Sequence, residues 1–272
     1  MRIKPIPLLL IEIVLMAFSG CKSDLTNYVP IKESIPVIDY YYVKSYPHDT
    51  TSFTEGFLIT RDTLFESTGS PEEYPRTRSV FGPVDLSTGR INIKVELNRE
   101  KYFGEGIAYL NGKFYQLTYT TKIGFVYDAT TYKKINEFSF LSNQGWGLTT
   151  DGKDLIMSDG TNKLTYLDPG TFLVTKIIPV TVNESAKRNL NELEFINGFI
   201  YANLWPTDTI VKIDTASGKV VGLLDLTSLA KEAKSICPEA LEMNGIAYDP
   251  SSDEILITGK LWPKIYRIKL ID

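Results

Sequence analysis

The sequence predicts an all-β fold, a five-bladed β-propeller, and three observations predict it. Short runs rich in Tyr, Ile, Val, Phe and Thr are separated by Asn-Gly, Asp-Gly, Ser-Gly and Pro-Gly pairs, the turn chemistry of hairpins. A polar or aromatic residue ahead of a strand-like run recurs five times. With Gly56, Gly106, Gly147, Leu193 and Gly245 taken as equivalent, the spacings are about 50, 41, 46 and 52 residues, the range of propeller blades. Within each unit the order also repeats: an inner strand, a turn, a strand ending in Ser, Thr or Asn, then a strand leading to Asp.

Residues 1–20 read as a signal segment. Met1-Arg2-Ile3-Lys4 is a positive start, Ile6 to Phe18 is mostly apolar, and Ser19-Gly20 are the small residues of a cleavage point. Phe18-Ser19-Gly20-Cys21 resembles a bacterial lipoprotein box, with Cys21 as the lipidated residue, although Phe18 stands where Leu is usual and Glu12 interrupts the apolar run. An uncleaved anchor or ordinary signal cleavage are the alternatives; the apolar run is short for a spanning helix. Residues 21–34 are then a polar tether, and residues 35–272 the propeller. The expected location is exported and lipid-anchored in the bacterial cell envelope.

Ile35 to Ser45 has the character of a strand that closes the ring, supplying the outer strand of the last blade and covering exposed edges. The strands that follow include Phe114 to Tyr119, Gly124 to Tyr127, Leu155 to Ser158, Leu164 to Leu167, Phe199 to Asn203, Ile210 to Ile213 and Glu254 to Thr258. Asp85, Asp128, Asp168 and Asp214, each followed by Thr, Ser or Gly, are expected to initiate turns between third and fourth strands and carry no chemistry. Leu226 to Lys234 reads as a helix after Asp225, with Leu229, Ala230 and Ala233 on one side, filling an inter-blade connection.

Composition narrows the function classes. The formal charge of −4, about −5 without residues 1–20, recruits no nucleic acid. With Cys21 lipidated, Cys237 has no disulfide partner. One histidine, His48, and no cysteine cluster leave little room for a zinc site or a Ser-His-Asp triad.

The candidate chemistry sits on the recurring segments. In a propeller, the loops entering the innermost strands cluster at one end of the channel. This places Phe53, Glu55, Phe103, Glu105, Trp146, Asn191, Glu192 and Asn244 around one mouth, a few polar groups among aromatics. Glu105 stands between Gly104 and Gly106, which let the backbone bend and approach a neighbour closely.

These residues resemble the plant and bacterial glutaminyl cyclases, five-bladed propellers that convert an N-terminal glutamine to pyroglutamate. The resemblance rests on Tyr46-Pro47-His48-Asp49, Phe53-Thr54-Glu55-Gly56, Leu64 to Gly69, Phe103-Gly104-Glu105-Gly106, Asn191-Glu192-Leu193-Glu194, Asn203-Leu204-Trp205-Pro206, Leu241 to Asp249 and Thr258 to Pro263, in order across the chain. It implies that Glu105 is the catalytic acid/base, within a pocket of Phe53, Glu55, Phe103, Tyr119, Trp146, Asn191, Trp205 and Lys260. Glu55 stands where glutamine is common in that family and Tyr119 where tryptophan is common, departures that bear on affinity or pH optimum more than on reaction type.

The expected activity is therefore that of a monomeric glutaminyl-peptide cyclotransferase acting on peptides or proteins with an N-terminal glutamine. No cofactor is required for its catalysis, although Glu55 or channel carbonyls could hold a structural Ca or other divalent cation. Plainer roles are a turn carboxylate for Glu105, inter-blade core for Trp146 and Trp205, and a strand cap for Lys260. The rival functions are a cation-dependent lactonase-type hydrolase and a non-enzymatic envelope binding propeller.

Overall fold

A computed structural model describes residues 34–271. The expected signal segment, Cys21 and the expected tether up to residue 33 lie outside the described residues.

The chain lays down antiparallel sheets one after another. Tyr40–Pro47 (β1) comes first but belongs to the last sheet. The first blade holds Phe53–Thr60 (β2), Thr63–Gly69 (β3) and Val80–Asp85 (β4), with the short Arg90–Ile91 (β5) and Val95–Glu96 (β6) both paired to β4. The second holds Gly104–Leu110 (β7), Lys113–Thr118 (β8), Ile123–Asp128 (β9) and Lys134–Ser139 (β10). In the third are Leu148–Thr150 (β11), Leu155–Met157 (β12), Lys163–Leu167 (β13) and Val174–Pro179 (β14).

A small hairpin, Thr181–Val182 (β15) and Ser185–Ala186 (β16), leads to the fourth blade: Leu190–Ile196 (β17), Phe199–Leu204 (β18), Thr209–Asp214 (β19) and Val220–Asp225 (β20). Helix Thr227–Ile236 (α1) then crosses to the fifth, made of Met243–Asp249 (β21), Glu254–Gly259 (β22), Lys264–Leu270 (β23) and the returning β1. The innermost strands β2, β7, β11, β17 and β21 adjoin in that order, and β21 comes back to β2. The described residues thus form a five-bladed propeller.

Local chemistry explains the meander. Asn111-Gly112 and Asn197-Gly198 join first to second strands with both residues at positive φ (51° and 75°, 50° and 88°), the twist that suits a tight hairpin. Arg61-Asp62 takes the same conformation without a glycine (51° and 55°), which is why that turn has no signal in the sequence. Between third and fourth strands, the carboxylates of Asp85, Asp128, Asp168 and Asp214 accept backbone N–H bonds from Ser87, Thr131, Thr171 and Ser217 at 2.7–2.8 Å. They are turn residues, as expected.

Apolar side chains fill each gap between successive blades. Phe81 and Phe114 lie between the first and second, Leu117 and Leu155 between the second and third, and Leu164 and Leu193 between the third and fourth. Ile246 and Trp262 pack with Leu229, Ala230 and Ala233 of α1 between the fourth and fifth, and Phe57 and Leu256 between the fifth and first. Each large side chain so buried contributes roughly 1.5–3 kcal/mol relative to exposure.

The closing strand corrects one expectation. Tyr40 to Pro47 pairs with β23, Tyr40 opposite Leu270 and Pro47 opposite Lys264, and Asp39 O accepts from Ile271 N at 2.9 Å, but Pro36 to Ile38 does not pair along this edge. Instead Leu223 of β20 donates its N–H to Pro36 O at 2.9 Å and accepts from Ile38 N at 2.7 Å, so the segment lies along the fourth blade before it closes the fifth. The apolar run is longer than one blade edge, and its first half binds the neighbouring blade.

A buried ion pair locks the closure. His48 Nδ1 faces Trp262 O at 2.8 Å and its Nε2 faces both Glu66 oxygens at 3.1 and 3.2 Å, while Thr54 Oγ1 donates to Glu66 Oε1 at 2.7 Å. With acceptors opposite both ring nitrogens, the geometry fits an imidazolium. Burial opposes that charge, but Glu66 outweighs it and holds the His48 pKa above its ordinary value.

Candidate active site

Four of the five innermost strands carry a β-bulge at their start. The register slips at Glu55 in β2, over Glu105-Gly106 in β7, over Asn191-Glu192 in β17 and over Asn244-Gly245 in β21. A bulge breaks the regular alternation and re-aims side chains, which is how successive strands send a polar group into the channel. Glycines allow the strands to meet there. A Cβ on Gly106 would lie 2.4 Å from Leu148 N and 2.6 Å from Trp146 O, and one on Gly147 would lie 2.2 Å from Asn191 O.

Above the bulges is a cavity of about 650 Å³. Glu105, Phe53, Glu55, Phe103, Tyr119, Trp146, Asn191, Trp205 and Lys260 all line it, so the structure brings together the whole expected set. Two kinds of loop build it: entries into innermost strands supply Phe103 and Trp146, and connections from second to third strands supply Tyr119, Trp205 and Lys260. In an antiparallel blade both kinds lie at the same end.

Glu105 is 4 % exposed and its carboxylate has no hydrogen bond or ion pair among the described residues. Its backbone is held tightly. Ser67 Oγ donates to Glu105 O at 2.6 Å, Gln116 Nε2 donates to Ser67 Oγ at 3.0 Å, and the Tyr127 hydroxyl donates to Gln116 Oε1 at 3.1 Å. Burial pushes the Glu105 pKa well above the ordinary carboxylate range, the negative charge of Glu55 adds to the rise, and Lys260 pulls back.

Glu55 is placed differently. Lys260 Nζ lies 2.7 Å from its Oε1 and Asn244 Nδ2 donates to its Oε2 at 3.0 Å, so both oxygens are engaged by the chain's own groups. Burial still raises its pKa, to about 7, against the pull of Lys260. The same ammonium sits 4.5 Å above the centre of the Phe53 ring. Lys260 is therefore part of the site and not a strand cap.

Aromatic rings form the walls. Tyr74, Phe53, Phe103 and Tyr119 follow one another with centroids 5.8–6.0 Å apart. Opposite them Trp146 meets Trp205 edge-on at 6.1 Å, with its Nε1 donating to Gln144 Oε1 at 2.9 Å. Both tryptophans face the cavity, and Trp205, 40 % exposed, stands at the rim in a cis Trp205-Pro206 unit. Neither is inter-blade core. Asn191 is buried with its Oδ1 unpaired.

Glu192 is a correction. Expected at the mouth, it is fully buried deeper in the channel, where Phe57 N donates to Oε1 at 3.1 Å and Ile246 N to Oε2 at 2.9 Å. It ties the fourth blade to the first and fifth. Asn244 likewise lies beneath the cavity and supports Glu55. Pro71, Glu73 and Tyr74 line the cavity without having been singled out, and Leu241 and Glu242 line it from a quoted motif without having been given a pocket role. A signal for the first three exists: the β3–β4 connection has ten residues where the other blades use four or five. Among the described residues no group of three His, Cys, Asp or Glu side chains has metal-holding geometry.

Comparison with known proteins bears on the family and the fold. Residues 12–270 match the family described as glutamine cyclotransferase. The chain belongs to that family. It is 40 % identical over 230 residues to the glutaminyl-peptide cyclotransferase of Arabidopsis thaliana, an overlap of 84 % of this chain and 70 % of that one. The crystal structure of Myxococcus xanthus glutaminyl cyclase superposes with a TM-score of 0.78 at 32 % identity, over 87 % of this chain and all of that one. Family membership and fold thus meet the expectation from the motifs.

Proposed function

We infer that this protein is a glutaminyl-peptide cyclotransferase, which turns the N-terminal glutamine of a peptide or protein into pyroglutamate with release of ammonia. The observation that carries the chemistry is Glu105, a buried carboxylate with no bonding partner among the described residues, facing a cavity walled by aromatic rings.

In the reaction the substrate's α-amine attacks its own γ-carboxamide carbon. The Nα–Cδ bond forms, the bond from Cδ to the amide nitrogen breaks, and one proton moves from Nα to the departing nitrogen. An α-amine has a pKa of about 7.7–8.0, and the upward shift of the Glu105 carboxyl favours sharing of its proton. An ammonium facing carboxylate Glu105 and a neutral amine facing its acid form are one protonation state of the complex. From the second form Glu105 gives its proton to the departing nitrogen, which leaves as ammonia, and takes the proton that Nα sheds as the ring closes, acting as acid and base in turn.

The other groups position the substrate. Trp146, Trp205 and Phe103 hold the side chain folded back on the amine, where an intramolecular attack gains most. Lys260, with two N–H groups beyond its bond to Glu55, and Asn191 donate to the carbonyl oxygen as it gains charge. Glu55 keeps Lys260 in place. This proton relay uses no metal, and a divalent cation in the channel would serve structure. We read the location as export with lipidation at Cys21 onto the bacterial cell envelope and the active form as a monomer.

The test is to incubate the purified protein with a glutaminyl peptide and follow ammonia and pyroglutamate, with and without chelator. Turnover that persists in chelator supports the reading; no release above background overturns it, and loss on chelation favours a cation-dependent hydrolase. Mass spectrometry of the N-terminus from a bacterial host, with Cys21→Ala as control, checks the anchor, and size-exclusion with light scattering checks the monomer.

A further inference from the structure

A substrate whose first residue fills the active cavity must carry the rest of its chain out of it. Next to that cavity is a second, of about 400 Å³, which shares Glu73, Tyr74 and Leu241 with the first. Its walls are the unusually long β3–β4 connection on one side and the Pro238 to Leu241 segment ahead of β21 on the other. The shared Tyr74 continues the aromatic wall of Phe53, at 6.0 Å between ring centres, so one surface runs from one cavity into the other.

The charges of this passage are one-sided. Glu73 stands where the two cavities meet, is exposed, and has no hydrogen bond or ion pair among the described residues. Across the second cavity Arg76 and Glu239 pair at 3.0 Å, but their side chains are 74 % and 70 % exposed, so they neutralise each other in a loosely held bridge. Lys260, the cation of the active cavity, is already engaged by Glu55. Lys260 and Glu242 line the active cavity and not the second, so the group left to meet an occupant of the second cavity is the carboxylate of Glu73.

Resting on the cyclotransferase reading above, we propose that the second cavity is a subsite for the residue that follows the N-terminal glutamine, and that Glu73 gives it a preference for Lys or Arg over Asp or Glu. The long loop is thus a specificity element. It adds binding for peptides and proteins that a lone glutamine amide does not receive.

The experiment compares kcat/KM for pyroglutamate formation from glutaminamide, Gln-Ala-amide, Gln-Lys-amide and Gln-Glu-amide. One exposed charge contact is worth up to about 1 kcal/mol, roughly a five-fold change. Gln-Lys-amide is therefore expected to exceed Gln-Glu-amide by about that factor, chiefly through KM and less so in high salt. Glu73→Gln brings the Lys-to-Glu ratio close to one and Glu73→Lys reverses it. Turnover of all four substrates with a ratio near one in the unaltered protein, or a ratio that Glu73→Lys leaves in place, overturns the subsite and spares the cyclotransferase reading. No turnover of any of them overturns both.

Discussion

Glu105 and Glu192 hold the same place in two different blades, each one residue ahead of its blade's repeat landmark, Gly106 or Leu193, and each on a bulged stretch of an innermost strand. Both are buried, and burial pushes both carboxyls well above the ordinary range. They differ in what their oxygens touch. Glu192 accepts two backbone N–H bonds from neighbouring blades; the Glu105 carboxylate accepts none among the described residues. Burial and a raised pKa therefore do not by themselves single out the acid of the proposed relay. Unspent hydrogen-bonding capacity facing a cavity does, whereas the same capacity spent on backbone amides makes a staple.

Substitution separates the two roles most sharply. Glu105→Gln is expected to lower kcat by about 10²–10⁴-fold, the usual share of a general acid/base. The thermal midpoint should not fall, because the Glu105 carboxylate makes no bond among the described residues and burial already opposes its charge; steady-state ammonia release and a melting curve check both. Glu192→Ala is expected to do the reverse. It strands two buried amides at about 1–3 kcal/mol each, so urea unfolding should show a loss of roughly 2–6 kcal/mol while turnover per folded molecule changes only a few-fold.

A smaller effect concerns how Glu105 is tuned. Glu55 raises its pKa and Lys260 lowers it. In Glu55→Gln the first influence goes and the second stays, so the acid limb of the kcat/KM profile should move to lower pH. A limb that stays put or rises would mean that Glu105 does not sense this pair.

The smallest effect tests the staple side through pH. Glu194, two residues beyond Glu192 on β17, is pushed up to about 8 by burial, against bonds from Tyr248 N and Thr149. The folded chain keeps that proton up to about pH 8 and the unfolded chain releases it near 4.5. Between those values the folded state binds more protons, so stability falls as pH rises through the window. The unfolding free energy should decline from pH 5 to 8, and Glu194→Gln should flatten the decline.

Periodicity and turn chemistry made the architecture legible: a repeat of similar spacing, hairpin pairs and turn-forming aspartates report local structure that each blade carries within itself. The nine pocket residues were legible because they lie on recurring or family-like motifs. Long-range partners were not. Nothing local distinguishes Glu192 from Glu105, since the amides that claim Glu192 come from Phe57 and Ile246, far away in the chain. The Ser67-Gln116-Tyr127 chain behind Glu105 spans two blades in the same way. Pro36 to Ile38 looked like part of one edge strand because a strand's partner is decided by which blade it reaches. Glu73 and Tyr74 were hidden in a proline-flanked loop whose length was its only mark.

The most direct measurement is pyroglutamate formation from one glutaminyl peptide by Glu105→Gln and Glu192→Gln side by side, each normalised to its folded fraction. The expected result is near-complete loss for the first and turnover within a few-fold of the unaltered protein for the second. Equal turnover by the two variants, or loss confined to Glu192→Gln, would contradict the assignment of the proton relay to Glu105.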